Sequence, residues 1–176
     1  ILRAVDQGND DVVAYRDRAI LLLFMTTGMR REELCEIYLD DIDLMNNEVV
    51  ITKKGNNHQR CFFSDATASA IKNWIRVRHM YIKDGENPQA LFLSNRGKTI
   101  SGRTVYDIVD KYSTAGLGYR ISPHKIRAGF CTILDQKGWG IQAIQHAVGH
   151  ANVSTTQRYI RSNPENVRRE AANAIF

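Results

Sequence analysis

The stretch Val148-Gly149-His150-Ala151-Asn152-Val153-Ser154-Thr155-Thr156-Gln157-Arg158-Tyr159 decides how this chain is read. Ile141, Ile144 and Val148 recur at helical spacing, and Gly149 stops that helix. His150 follows at once. Ser154 and Gln157 have the spacing of a capping box, which opens a second short helix. Tyr159 lies one turn into that helix, and the cap determines where its phenol points. A lone tyrosine in such a place is more often a packing residue than a reactive one. A phenol with a pKa of about 10 is a poor nucleophile at neutral pH, and neighbouring cations or a base are needed to make it useful. Such groups have to come from other segments of the chain.

Working outward, Ser122-Pro123 reads as a helix start, with Ser at the N-cap and Pro at the first helical position. That helix runs to Gln136 and is stopped by Gly138. Further back, Asp10 or Asp11 caps a helix to about Thr27, ended by Gly28. Its run Ile20-Leu21-Leu22-Leu23-Phe24 is apolar all round, which marks a buried central helix. Arg30 follows in a tight connection, and Glu32 and Glu33 open a short helix where acidic residues favour the N-terminus. Glu48-Val49-Val50-Ile51-Thr52 reads as a strand, Gly55-Asn56-Asn57 as a turn and Cys61-Phe62-Phe63 as a returning strand. Asp40 to Leu44 is a candidate edge strand. Asp65 is expected to cap a helix from about Ala66 to Lys83. Another helix starts at Ser101, with Val105, Ile108, Val109 and Tyr112 at helical spacing, and ends near Gly116. Asn163-Pro164-Glu165 opens a last, mostly polar helix to about Ala174. The expected fold class is α+β: mostly helical, with a small antiparallel sheet.

The 176 residues suit one domain with its own core, and 43% hydrophobic against 24% charged residues argues against disorder. A net charge of +5 permits a polyanionic partner without requiring one. Cys35, Cys61 and Cys131 are odd in number and widely spaced, so neither a zinc ribbon nor a disulfide framework is indicated. No Asp/Glu cluster of metal-binding type occurs. The longest apolar run, Ala19 to Met25, is too short to span a bilayer. The chain opens at Ile1 rather than Met, so it reads as an excised piece whose upstream domain or targeting segment is out of view.

His124 and Arg127 are three positions apart on one helix face, in its first turn and a half, where free N–H groups favour an anion. A capping His and a surface Arg is the commoner meaning of H-x-x-R. Arg30 could simply pair with Glu33, although a charge at the end of a buried helix is held in place. Lys53 and Lys54 occupy a hairpin tip, which is usually a solvated turn. His150 alone is more often structural than catalytic.

Taken together, these pieces resemble one family. Thr26-Thr27-Gly28-Met29-Arg30-Arg31-Glu32-Glu33-Leu34 is similar to the first arginine box of the tyrosine recombinases, the phage-type integrases and Xer-like proteins. Lys54-Gly55-Asn56 resembles their hairpin lysine, and Ser122-Pro123-His124-Lys125-Ile126-Arg127 their H-x-x-R box. Val148-Gly149-His150 with Ser154 to Tyr159 resembles the segment that ends in their nucleophile. The resemblance spans about Asp10 to Arg161.

The resemblance implies a site-specific recombinase, with strand cleavage and rejoining through a 3′-phosphotyrosine and neither metal, ATP nor any other cofactor. It implies that Arg30, Arg127 and His150 hold the non-bridging oxygens of the scissile phosphate and that His124 assists as acid/base or donor. Lys54, or Lys53 in its place, protonates the departing 5′-hydroxyl. Tyr159 attacks phosphorus, and Glu33 orients Arg30 or its turn. Expected partners are double-stranded DNA and three further copies in a homotetramer, in the cytoplasm, with no membrane. Residues 1–176 would form one catalytic domain, its tail from about 164 to 176 docking in cis or on a neighbour, below a missing N-terminal DNA-clamping domain. The competing expectations are a non-catalytic DNA-binding relative and a type IB topoisomerase.

Overall fold

The computed structural model describes residues 1–6, 11–53, 57–83, 88–148 and 172. Its centre is the helix α2, Val12–Thr27, following a short α1, Leu2–Asp6, that carries no clear sequence signal. Asp11 caps α2, its side chain accepting from Val13 N at 3.3 Å. Ala19 to Phe24 are at most 1% exposed, as an all-round apolar run requires. Gly28 closes the helix in the left-handed region, φ 59°, and its N–H donates to Phe24 O at 2.9 Å.

The chain turns at Met29–Arg30 into α3, Arg31–Cys35, and then reaches a three-stranded antiparallel sheet of order β1-β2-β3. β1 is Ile42–Asp43, β2 Glu48–Lys53 and β3 Asn57–Phe62. The edge strand is shorter than expected because a 3-10 turn, Leu39–Asp41, occupies its start. β3 begins earlier than Cys61: Lys53 pairs with Asn57 and Val50 with Arg60. Asn57 to Arg60 lack β-rich character, and it is pairing with β2 that carries them into the ladder.

α4 is Asp65–Arg78, packed extensively against α2. Its cap is Ser64, which accepts from Thr67 N at 3.3 Å, one residue before the expected Asp65; that carboxylate instead accepts from Asn47 Nδ2. The helix ends at Arg78, short of Lys83. Arg78 is 5% exposed and turns inward to the carbonyls of Pro88, Ala90 and Leu91, while the chain continues as a 3-10 turn, His79–Tyr81. Trp74 adds a bond to Leu91 O at 2.9 Å, which ties the irregular 90–93 segment to α4.

α5, Gly102–Leu117, is capped by Ser101 and closed by Gly118. α6, Pro123–Gln136, has Ser122 as its cap, with Lys125 N donating to Ser122 Oγ at 3.4 Å. α7, Ile141–Val148, packs on α6 through a second, smaller cluster of Phe130, Leu134, Ile144, Ala147 and Val148. The main core joins α2, the sheet, α4 and α5. The fold is thus mostly helical with a small antiparallel sheet, as expected. Among the described residues no helix is long and apolar enough to cross a membrane. Ala172, within the predicted last helix, is helical and fully buried.

Candidate active site

A cleft of about 450 Å³ opens where the C-terminal end of α2 meets the starts of α3 and α6. Met29, Arg30, Arg31 and Glu32 form one wall. Ser122, Pro123, His124 and Arg127 form another, and Tyr106 of α5 completes it. Arg30, His124 and Arg127, up to 97 positions apart in sequence (127 − 30), therefore face one space.

Local structure explains why each points there. Arg30 is the N-cap of α3, and the Glu33 carboxylate at the third helical position reaches back to it. One Glu33 oxygen accepts from Arg30 N at 2.6 Å and the other from Arg30 Nη1 at 2.8 Å. Glu33 is 7% exposed and Arg30 46%, so a buried carboxylate anchors a guanidinium that still presents donors to the cleft. The expected pairing of Arg30 with Glu33 is present, and it holds the arginine in place without closing it off.

Arg127 is not the surface residue that an isolated H-x-x-R suggests. It is 6% exposed. Its Nη1 donates to Gly28 O and its Nη2 to Val148 O at 3.1 Å. One side chain thus joins the closing turn of α2 to the end of α7, directly before Gly149-His150. Burial, and after it the charge of Arg30, push the Arg127 guanidinium below its ordinary value. Two arginines held close enough to repel favour an anion between them. His124, on the first turn of α6, is exposed beside them.

Gly28 makes this approach feasible. A Cβ there would stand 2.7 Å from Phe130 Cδ1, and its positive φ is one that glycine adopts without cost. Thr27 Oγ1 donates to Leu23 O at 2.6 Å and accepts from Met29 N at 3.3 Å, bracketing the same turn.

Lys53 is the last residue of β2, a strand packed beside α3. Lys54, His150 and Tyr159 lie outside the described residues, so the expectations for them rest on the sequence. Arg31, Glu32 and Tyr106 also line the cleft but were not singled out from the sequence. Tyr106 stands off the apolar stripe of α5, and an aromatic on the outward face was the available signal. Among the described residues no three His, Cys, Asp or Glu side chains gather to hold a metal ion.

The architecture and the cleft define the catalytic-domain fold of the tyrosine recombinases. In structure the chain is similar to the XerA recombinase, with a TM-score of 0.73 and 26% identity over 97% of this chain and 61% of that one. It is equally similar to the XerH site-specific recombinase bound to its difH substrate in a pre-cleavage complex: TM-score 0.73, 26% identity, 86% of this chain and 44% of that one. Residues 1–166 match the phage integrase family, and the chain belongs to that family. In sequence it is 34% identical over 152 residues to the tyrosine recombinase XerC of Alcanivorax borkumensis, which covers 86% of this chain and 49% of that protein. The chain spans about half the length of the curated relatives it matches.

Proposed function

We propose that this chain is the catalytic part of a tyrosine-type site-specific DNA recombinase. The observation that carries the reading is the convergence of Arg30, His124 and Arg127 on one cleft, with Arg127 bonded to the carbonyl that precedes Gly149-His150. Phosphoryl transfer needs positioning and charge stabilisation more than covalent help, and fixed guanidinium and imidazole donors supply both.

In the proposed reaction Arg30, Arg127 and His150 hold the non-bridging oxygens of the scissile phosphate. The Tyr159 oxygen attacks phosphorus, the bond to the 5′-oxygen breaks, and Lys54, or Lys53 in its place, delivers a proton to the leaving oxygen. His124, as acid/base, takes up the proton that the Tyr159 phenol releases on attack, or donates a hydrogen bond to the phosphate while that proton passes to solvent. The product is a 3′-phosphotyrosine, which conserves the phosphodiester's energy, so a new 5′-hydroxyl can reverse the step without ATP. The reading includes a homotetramer on double-stranded DNA, action in the cytoplasm, and an N-terminal DNA-clamping domain beside this catalytic unit. The half-length match to XerC proteins supports the last point. Burial of Ala172 supports docking of the tail in cis.

The test is a nicked suicide duplex incubated with the full-length protein. A covalent protein–DNA adduct is expected with the unsubstituted protein and none with Tyr159→Phe. An adduct undiminished by that substitution, or no adduct at all, overturns the enzyme reading. Strand-exchange products then separate a recombinase from a topoisomerase.

A further inference from the structure

The cleft contains a feature that a phosphate grip at Arg30 and Arg127 leaves unexplained: a carboxylate, Glu32, on the wall of an anion-binding space. Its oxygen Oε1 accepts from two nitrogens of Arg31, Nε at 2.9 Å and Nη2 more closely. Arg31 is 40% and Glu32 64% exposed, so this pair sits at the cleft surface. Arg31 lies close over the first residue of α5. A Cβ at Gly102 would come within 2.9 Å of Arg31 Nε. Tyr106, one turn further along α5, lines the same side of the cleft.

We propose that Arg31 is a second phosphate-binding residue, one that grips the DNA backbone next to the scissile phosphate, and that Glu32 occupies its guanidinium fork until DNA arrives. This rests on the DNA-strand reading of the cleft and extends it to residues to which the resemblance assigns no role. A guanidinium accepts a carboxylate or a phosphate through the same pair of N–H groups, so one can replace the other without rebuilding the site. The exchange is cheap for Glu32, which is already mostly solvated and turns outward into water. The cleft volume agrees, because about 450 Å³ lies within the range of sites that take a small organic ligand and exceeds what a bare phosphate needs. Successive phosphates of one strand advance by about 3.4 Å along the duplex axis, so a backbone gripped at Arg30 and Arg127 necessarily presents another phosphate nearby. In the absence of DNA, Glu32 lowers the positive field of the cleft; Arg31 in turn, as the main cause, holds the Glu32 carboxyl below its usual range.

The test is binding of a fluorescein-labelled duplex of arbitrary sequence across a KCl series, followed by anisotropy. Arg31→Ala is expected to reduce the slope of log K against log salt by about 0.9, one phosphate contact. Glu32→Gln is expected to tighten binding about two- to fivefold, the worth of an exposed ion pair, and to add little when combined with Arg31→Ala. Arg31→Gln, closer in shape, should match Arg31→Ala and separates loss of charge from loss of packing. An unchanged slope in both Arg31 variants, or a Glu32→Gln gain undiminished in the double variant, overturns the inference. If the full-length protein still forms its Tyr159 adduct in those cases, only this inference fails. If the unsubstituted chain shows neither salt-dependent binding nor an adduct in its full-length form, the recombinase reading fails with it.

Discussion

Arg127 donates a guanidinium hydrogen bond to the carbonyl oxygen of Gly28, 99 positions earlier in the chain. A second bond, to Val148 O, makes the same side chain a clamp between α2 and α7. The residue expected to bind substrate therefore also assembles the site. Arg127→Lys keeps the charge but cannot reproduce a planar fork that reaches two carbonyls. With bonds from charged groups worth roughly 1.5–3 kcal/mol each, the variant should lose about 2–4 kcal/mol of stability. A urea midpoint that falls at an unchanged m-value is the expected record, along with loss of the covalent DNA adduct.

Glu33 anchors Arg30 through both carboxylate oxygens. Glu33→Gln retains the shape and removes the charge. Because charge-assisted bonds are about twice as strong as neutral ones, the expected cost is about 1–2 kcal/mol of stability. Adduct formation should slow by about tenfold while DNA affinity changes less, since Arg30 keeps its charge but loses its fixed aim. Single-turnover adduct kinetics alongside an affinity titration would separate the two effects.

Gly28→Ala combines two penalties. The left-handed conformation costs a Cβ-bearing residue about 1–2 kcal/mol, and the new Cβ meets the Phe130 ring at 2.7 Å. The total should be about 2–4 kcal/mol once overpacking is included. A second substitution, Phe130→Leu, should recover the steric part and leave the backbone part. Urea unfolding of the single and double variants measures both.

Cys35 provides a pH test. Burial, reinforced by the charge of Glu32, pushes its thiol from the ordinary 9.0 up to about 11. Between those values the unfolded chain releases a proton that the folded chain keeps. Stability from this group is therefore complete below pH 9 and is lost as pH rises to about 11. Denaturant midpoints should fall across that window more steeply in the unsubstituted protein than in Cys35→Ala. Equal slopes would show that the thiol is solvated.

Much of the architecture was legible because its signals are local. Gly28 and Ser122-Pro123 mark a helix end and a helix start through their own backbone and side-chain preferences, and each lies where the structure has it. Local signals failed where a distant partner decided the outcome. α4 stops early because Arg78 bonds to carbonyls at 88, 90 and 91, and β3 starts early because β2 offers a ladder. Arg16 was likewise invisible as a buried residue. It is 3% exposed, held by Asp17, Leu93 O and Asn95.

For the site, the sequence by itself supplied the residue types and their order: two arginine boxes, a lysine expected at a hairpin tip, a histidine, and a tyrosine expected in a capped helix. Helix caps and periodic faces act over one or two turns, so they are written in neighbouring residues. Only the tertiary structure decided that Arg30, His124 and Arg127 share a cleft, that Glu33 holds the first of them through both carboxylate oxygens, and that Arg31, Glu32 and Tyr106 complete its walls. The physical reason is the range of the interactions. A guanidinium hydrogen bond spanning 99 positions depends on how α2 and α6 pack, and close packing is a property of the whole core rather than of any segment.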